Sequence, residues 1–205
     1  MTGSGRLPAV ARLAQPRRGH FDLGTGFHGD LWLDLDALFL RPARLRPYVQ
    51  WLSARLDAHQ IDAVCGPLEG GAFLALAVAD VLDTAFLPAG RSPGACAPGT
   101  SARAQAGYRL APSVTRRADG WRVAIVDDAI NAGTAVQACF GLLRGIGAVP
   151  VAVGALLALG GAAATVEATM SVPCHTAATL PSQVWPATDC PLCVTGVPLN
   201  TWAGG

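Results

Sequence analysis

Residues 123–135 read VAIVDDAINAGTA: four apolar residues, two adjacent carboxylates at Asp127 and Asp128, then a turn of small residues ending in Gly133 and Thr134. An apolar run of this length bounded by a turn signal reads as a buried strand, and the residues after the turn open a helix. Charges side by side at the end of such a strand are costly unless something meets them there. The same alternation recurs along the chain. Leu45, Val49, Leu52 and Leu56 recur at spacings of four, three and four and put one apolar stripe on a helix within 41–60. Strands are expected at 61–66, 85–88, 121–128 and 149–159, with helices at 70–82 and 135–146. Strands and helices in alternation pair in parallel with right-handed crossovers, so the fold class is α/β, an open parallel sheet flanked by helices. Residues 89–107, rich in Gly, Pro, Ser and Ala, form a long loop of the kind that is functional or disordered.

With 205 residues the chain can bury one full core. The hydrophobic share is 51% against 14% charged, which fits a sheet buried on both faces. Residues 1–18 are expected to be a flexible N-terminus, 19–170 the domain, and 171–205 a tail packed on it, since Trp185 and Trp202 flank the tail. The net charge of +1 gives no general pull on nucleic acid or an anionic membrane. Residues 148–166 carry no charge and are long enough for a membrane span, but Pro150, Gly154, Gly160 and Gly161 interrupt them. They read better as a central strand followed by a loop. The basic N-terminus lacks an apolar segment of the secretory kind, and the expected location is cytoplasmic.

In an open parallel sheet, ligands gather beyond the carboxyl ends of the strands, where Asp127 and Asp128 fall. Backbone N–H groups of the following turn and the Thr134 hydroxyl can converge on an anion at the helix N-terminus. Two acids beside a phosphate cradle suit the hydroxyls of a sugar on the same ligand, with a divalent cation offsetting the charge. Helix capping would account for one acid and not for two.

The stretch VAIVDDAINAGTA resembles the phosphoribosyl pyrophosphate motif of type I phosphoribosyltransferases. The resemblance implies that Asp127 and Asp128 hold the ribose hydroxyls and that Ala129, Ile130, Asn131, Ala132, Gly133 and Thr134 hold the 5-phosphate. A second stretch, Gly66, Pro67, Leu68, Glu69, Gly70 and Gly71, resembles the pyrophosphate loop of that family, although a lone glycine turn could also be strand-to-helix punctuation. A carboxylate facing a diphosphate repels it, so Glu69 is expected to point away or to act through magnesium or water. A third, GHFDLGTGFHGDLWLDLD from Gly19 to Asp36, resembles the N-terminal hood of the orotate branch, here 19–40. In that role Trp32 offers an apolar face to a planar acceptor and His28 reaches a ring substituent; otherwise Trp32 is core and His28 a surface turn residue. The implied reaction transfers a 5-phosphoribosyl group from phosphoribosyl pyrophosphate to a base nitrogen, with magnesium as cofactor and a homodimer as the assembly. The alternatives are a non-orotate acceptor and a regulator that binds phosphoribosyl pyrophosphate without turnover.

The chain departs from the orotate pattern in its cations. All fifteen basic residues are arginine, so Arg91 and Arg103 stand in the loop where the family carries lysines, with Arg109 just beyond. An arginine binds phosphate through a planar fork but does not switch protonation near neutral pH. Gly24 and Gly70 stand where the family often has lysine, and Leu157 to Gly161 lacks the expected arginine. Cysteine usage adds a separate question. Cys65 and Cys139 fall in core elements, whereas Cys190 and Cys193 form CPLC, a spacing that suits structural zinc. Cys174 and His175 are the nearest further ligands along the chain, and reduced or redox-active thiols are the other reading.

Overall fold

A computed structural model of the protein describes residues 8–24, 26–68, 70–92 and 107–201. The chain opens with a short helix, α1 (Ala9–Leu13), followed by the antiparallel hairpin β1 (Arg17–Asp22) and β2 (Phe27–Trp32). Val10, Ala11 and Ala14 are buried in the main core, so from residue 8 onward the N-terminus is packed, contrary to the flexible segment expected over 1–18. Its apolar side chains reach a core that hydropathy along the chain cannot reveal.

Helix α2 (Arg46–Asp57) carries the foreseen stripe, and Leu45, Val49, Leu52 and Leu56 are all buried. There follow β3 (Ala63–Pro67), α3 (Gly70–Leu82), β4 (Ala85–Arg91), the two-residue β5 (Tyr108–Arg109) and the turn of helix α4 (Pro112–Thr115). The second half comprises β6 (Arg122–Ile130), α5 (Thr134–Gly145), β7 (Val149–Leu159), α6 (Ala162–Met170), β8 (Cys174–Leu180), β9 (Val184–Pro186) and the single turn α7 (Pro191–Val194).

Six strands form the main sheet in the order β5-β4-β3-β6-β7-β8, parallel except for β5, which turns back along β4. Alternate residues of each strand serve opposite faces, the period-two rule of a pleated strand. Ala124 and Val126 of β6 pack with α2 and α3, while Val123 and Ile125 pack with α5 and α6. Both faces are therefore covered, which explains the continuous apolar run of β7. No helix of the described residues is long and apolar enough to cross a membrane.

Residues 171–201 do more than pack as a tail, and Trp202 lies outside the described residues. The first part of this segment, β8, is the outer strand of the main sheet beside β7, and β9 adds to β2 to make a second, three-stranded sheet β1-β2-β9. Asn200 then bridges Phe21, and its N–H donates to the His20 carbonyl at 2.8 Å. The hood is thus built from both ends of the chain.

Candidate active site

From β3 the chain crosses through α3 to β4 on one side, and it later returns as β6 on the other side of β3. The crevice between the carboxyl ends of β3 and β6 is the point where the winding reverses, and such crevices bind ligands in open α/β sheets. Both sequence stretches singled out above end there.

Strand β6 runs two residues beyond the acid pair, because Ala129 and Ile130 keep pairing with Leu157 and Ala158 of β7. The longer ladder buries the Ile130 side chain in the core, so the turn proper is Asn131, Ala132 and Gly133, shorter than the Ala129–Thr134 cradle expected. Gly133 caps α5 in the left-handed region, φ 72°, where a side chain would be strained. The first-turn amides of α5 lack intrahelical carbonyl partners, and no acidic side chain occupies that turn. An anion is the complementary ligand.

Asp127 and Asp128 are 8% and 6% exposed. The Asp128 N–H donates to Asp127 Oδ1 at 3.0 Å, and the Ala129 N–H donates to Asp128 Oδ1 at 2.7 Å. Burial raises the Asp128 carboxyl above its ordinary value of 3.8; the bonds from Ala129 and Asp127 oppose the rise, and the nearby charge of Asp36 adds to it. Asp36 lies in the 3-10 turn Asp36–Leu38 just beyond the hood hairpin. Its approach to the site was missed in the sequence, where only the LDLD pattern at 33–36 hinted at it.

The glycines of the other loop face this pair. A Cβ on Gly70 would fall on Oδ2 of Asp128, and one on Gly71 would lie 2.5 Å from Oδ1 of Asp127. A side chain at either position would have to displace the acid pair, so glycine there lets β6 and the start of α3 approach this closely. Gly66 and Pro67 are buried at the end of β3, and Leu68 is exposed, its N–H donating to the Ala89 carbonyl at 2.8 Å. Glu69 and Arg103 lie outside the described residues. Arg91 ends β4 at the same carboxyl edge, and Arg109 pairs opposite Gly90 on the neighbouring strand β5.

Trp32 ends β2 half-buried, with its ring 6.2 Å from that of Phe21. His28 is buried, not a surface turn residue, and its Nδ1 faces His20 Nε2 at 3.0 Å and Cys193 Sγ at 3.3 Å. Cys65 and Cys139 are buried as foreseen, and the hydrogen bond between them pushes the Cys139 thiol far up, with burial adding to it.

No family model matches the chain. Solved structures with the same architecture include orotate phosphoribosyltransferase from Aeropyrum pernix, 23% identical with a TM-score of 0.64 over 83% of this chain and 93% of that one. Adenine phosphoribosyltransferase from Thermoanaerobacter pseudethanolicus superposes with a TM-score of 0.58 at 18% identity, covering 73% and 88% of the two chains. The fold is that of the type I phosphoribosyltransferases. Among curated proteins, the orotate phosphoribosyltransferase of Thermoanaerobacter sp. is 26% identical over 193 residues, 94% of this chain and 93% of that protein. The orotate phosphoribosyltransferase of Thermotoga maritima is 29% identical over 180 residues, 88% and 87% of the two chains. These orotate phosphoribosyltransferases match most of the length of this chain.

Proposed function

We propose that the protein transfers the 5-phosphoribosyl group of phosphoribosyl pyrophosphate to a ring nitrogen of a planar base, with orotate as the acceptor, releasing pyrophosphate. The observation that carries this reading is the opposition of Asp127 and Asp128 to Gly70 and Gly71 across the crevice between β3 and β6. The ribose hydroxyls donate to the paired carboxylates, the first turn of α5 with Asn131, Ala132, Gly133 and Thr134 holds the 5-phosphate, and the amides of Gly70 and Gly71 hold the diphosphate.

As the bond from the anomeric carbon to pyrophosphate breaks, positive charge develops on the sugar beside the two carboxylates. Arg91, Arg103 and Arg109 neutralise the leaving diphosphate without titrating. The reaction then depends on positioning and charge rather than on proton transfer by the loop. Adjacent buried carboxylates, one of them raised by desolvation, fit a hard divalent cation among oxygen donors. Magnesium bound with the substrate near Asp127 and Asp128 would supply charge neutralisation for the diphosphate. A homodimer and a cytoplasmic location complete this reading.

The test is a panel of bases with phosphoribosyl pyrophosphate and magnesium, read by pyrophosphate release and product mass. Orotate is expected to be turned over, and Arg→Ala at 91, 103 or 109 to cut kcat more than it weakens base binding. Tight phosphoribosyl pyrophosphate binding with no turnover of any base would overturn catalysis in favour of a sensor.

A further inference from the structure

The hood and the C-terminal segment meet at four side chains outside the crevice. His20 from β1, His28 from β2, and Cys190 and Cys193 on either side of the first residues of α7 each direct one ligand atom inward, all within 4.8 Å of one another. Cys190 Sγ lies 3.4 Å from His20 Nε2, and Cys193 Sγ lies 3.7 Å from the same nitrogen and 3.3 Å from His28 Nδ1. The two ring nitrogens are 3.0 Å apart. A tetrahedron with Zn–S near ~2.3 Å and Zn–N near ~2.0 Å separates sulfur from nitrogen by ~3.5 Å and two nitrogens by ~3.3 Å. These four separations stand close to those spacings, and the remaining pairs lie within 4.8 Å.

The proton inventory favours a cation over hydrogen bonds alone. His20 Nδ1 lies 2.9 Å from the Val197 carbonyl, which can only accept, so that nitrogen donates and a neutral His20 presents a bare lone pair at Nε2. Three neighbours crowd that one lone pair. A metal satisfies all four atoms at once, and a backbone carbonyl on the far nitrogen is the usual partner that orients a ligating imidazole. Val197 is delivered to His20 by the turn after the cysteines, in which Gly196 adopts φ 71° and the Val197 N–H donates to the Leu192 carbonyl.

We propose that His20 Nε2, His28 Nδ1, Cys190 Sγ and Cys193 Sγ form a closed structural zinc site that fastens the C-terminal segment to the hood. The donor set, two imidazoles and two sulfurs, selects zinc over harder cations. Two thiolates cancel the charge of Zn²⁺, which suits a place where His20, His28 and Cys190 are buried. Four protein ligands leave no open position, so the role is mechanical. The sequence pointed to Cys190 and Cys193 but to the wrong partners. Cys174 and His175 begin β8 at the opposite, amino end of the sheet, where His175 Nε2 lies 3.0 Å from His59 Nε2 instead.

The 205-residue chain, expressed with zinc in the medium and purified without chelators, is expected to contain about one zinc per chain. Cys190→Ser and Cys193→Ser should each remove most of it, while Cys174→Ser retains it. Should the serine variants fail to fold, the wild-type chain stripped of metal decides the matter: added Co²⁺ should give the visible bands of a tetrahedral site and a thiolate charge-transfer band. Wild-type protein that carries no zinc and develops no such bands with Co²⁺ would overturn the proposal. Zinc retained in both serine variants and lost with Cys174→Ser would do the same.

Discussion

Asp128 sits at the junction of stability and function. Burial favours its protonated form, so its native pKa lies above 3.8 and the native state keeps a proton that the unfolded chain has released. That contribution to stability is present at low pH and is lost as pH rises through the native pKa, leaving a net cost in the ligand-free protein at neutral pH. Asp128→Asn is therefore expected to raise the melting temperature of the free protein at pH 7, by ~2–4 °C for each kcal/mol relieved. The gain should shrink as the pH is lowered toward 4. The same variant should lose the rise in melting temperature that phosphoribosyl pyrophosphate with magnesium gives the wild type, since a ligand stabilises only through native-state binding. Scanning fluorimetry across pH with and without ligand checks both; a variant destabilised at pH 7 that keeps its ligand shift would remove the role given to this carboxylate. At this scale the sequence was informative, because an acid pair ending an apolar run is a local pattern with few physical explanations.

Helix α2 and strand β7 show how far local pattern reaches into packing. Leu52 is wholly buried, and its side chain fills the space that a Cβ on Gly154 would need, with its Cδ1 2.9 Å from that position. Leu52→Ala would leave a cavity against a glycine, with no larger side chain to relax into it. The expected loss is ~3–5 kcal/mol, toward the upper end for such truncations, read as a lower denaturant midpoint with an unchanged slope. A loss below ~1 kcal/mol would mean that α2 shifts to close the gap. The stripe that placed Leu52 inside was legible because helical period and burial are the same fact viewed along and across the chain. The extent of β6 was less so: its last two residues are held by pairing with β7, which no local pattern records. The partners of Cys190 were hidden for the same reason, since His20 lies 170 residues away and meets it only once β9 has added to β2.

Across the whole molecule, the crevice opens beside a surface that this chain alone does not cover. Helix α3 begins at Gly70, facing the acid pair, and shows Phe73, Leu76 and Val81 to solvent at 63%, 52% and 50% exposure. Phe39 of the hood connection leans on Phe73 with ring centroids 5.4 Å apart, and Leu40 beside it is 77% exposed. Large apolar side chains gathered in this way mark an interaction surface more often than chance scatter. A second copy of the chain is the expected occupant, by a self-complementary contact about a two-fold axis. Light scattering should then report a dimer whose interface buries on the order of 1,600 Å² or more. Phe73→Asp combined with Leu76→Asp places two charges in that contact and should yield a monomer with little change in fold, because neither side chain is buried in the isolated chain. The monomer should also lose affinity for phosphoribosyl pyrophosphate, since the helix that carries the altered residues begins with Gly70 and Gly71. A wild-type chain that runs as a monomer at micromolar concentration would rule this arrangement out and leave the apolar row of α3 to another partner.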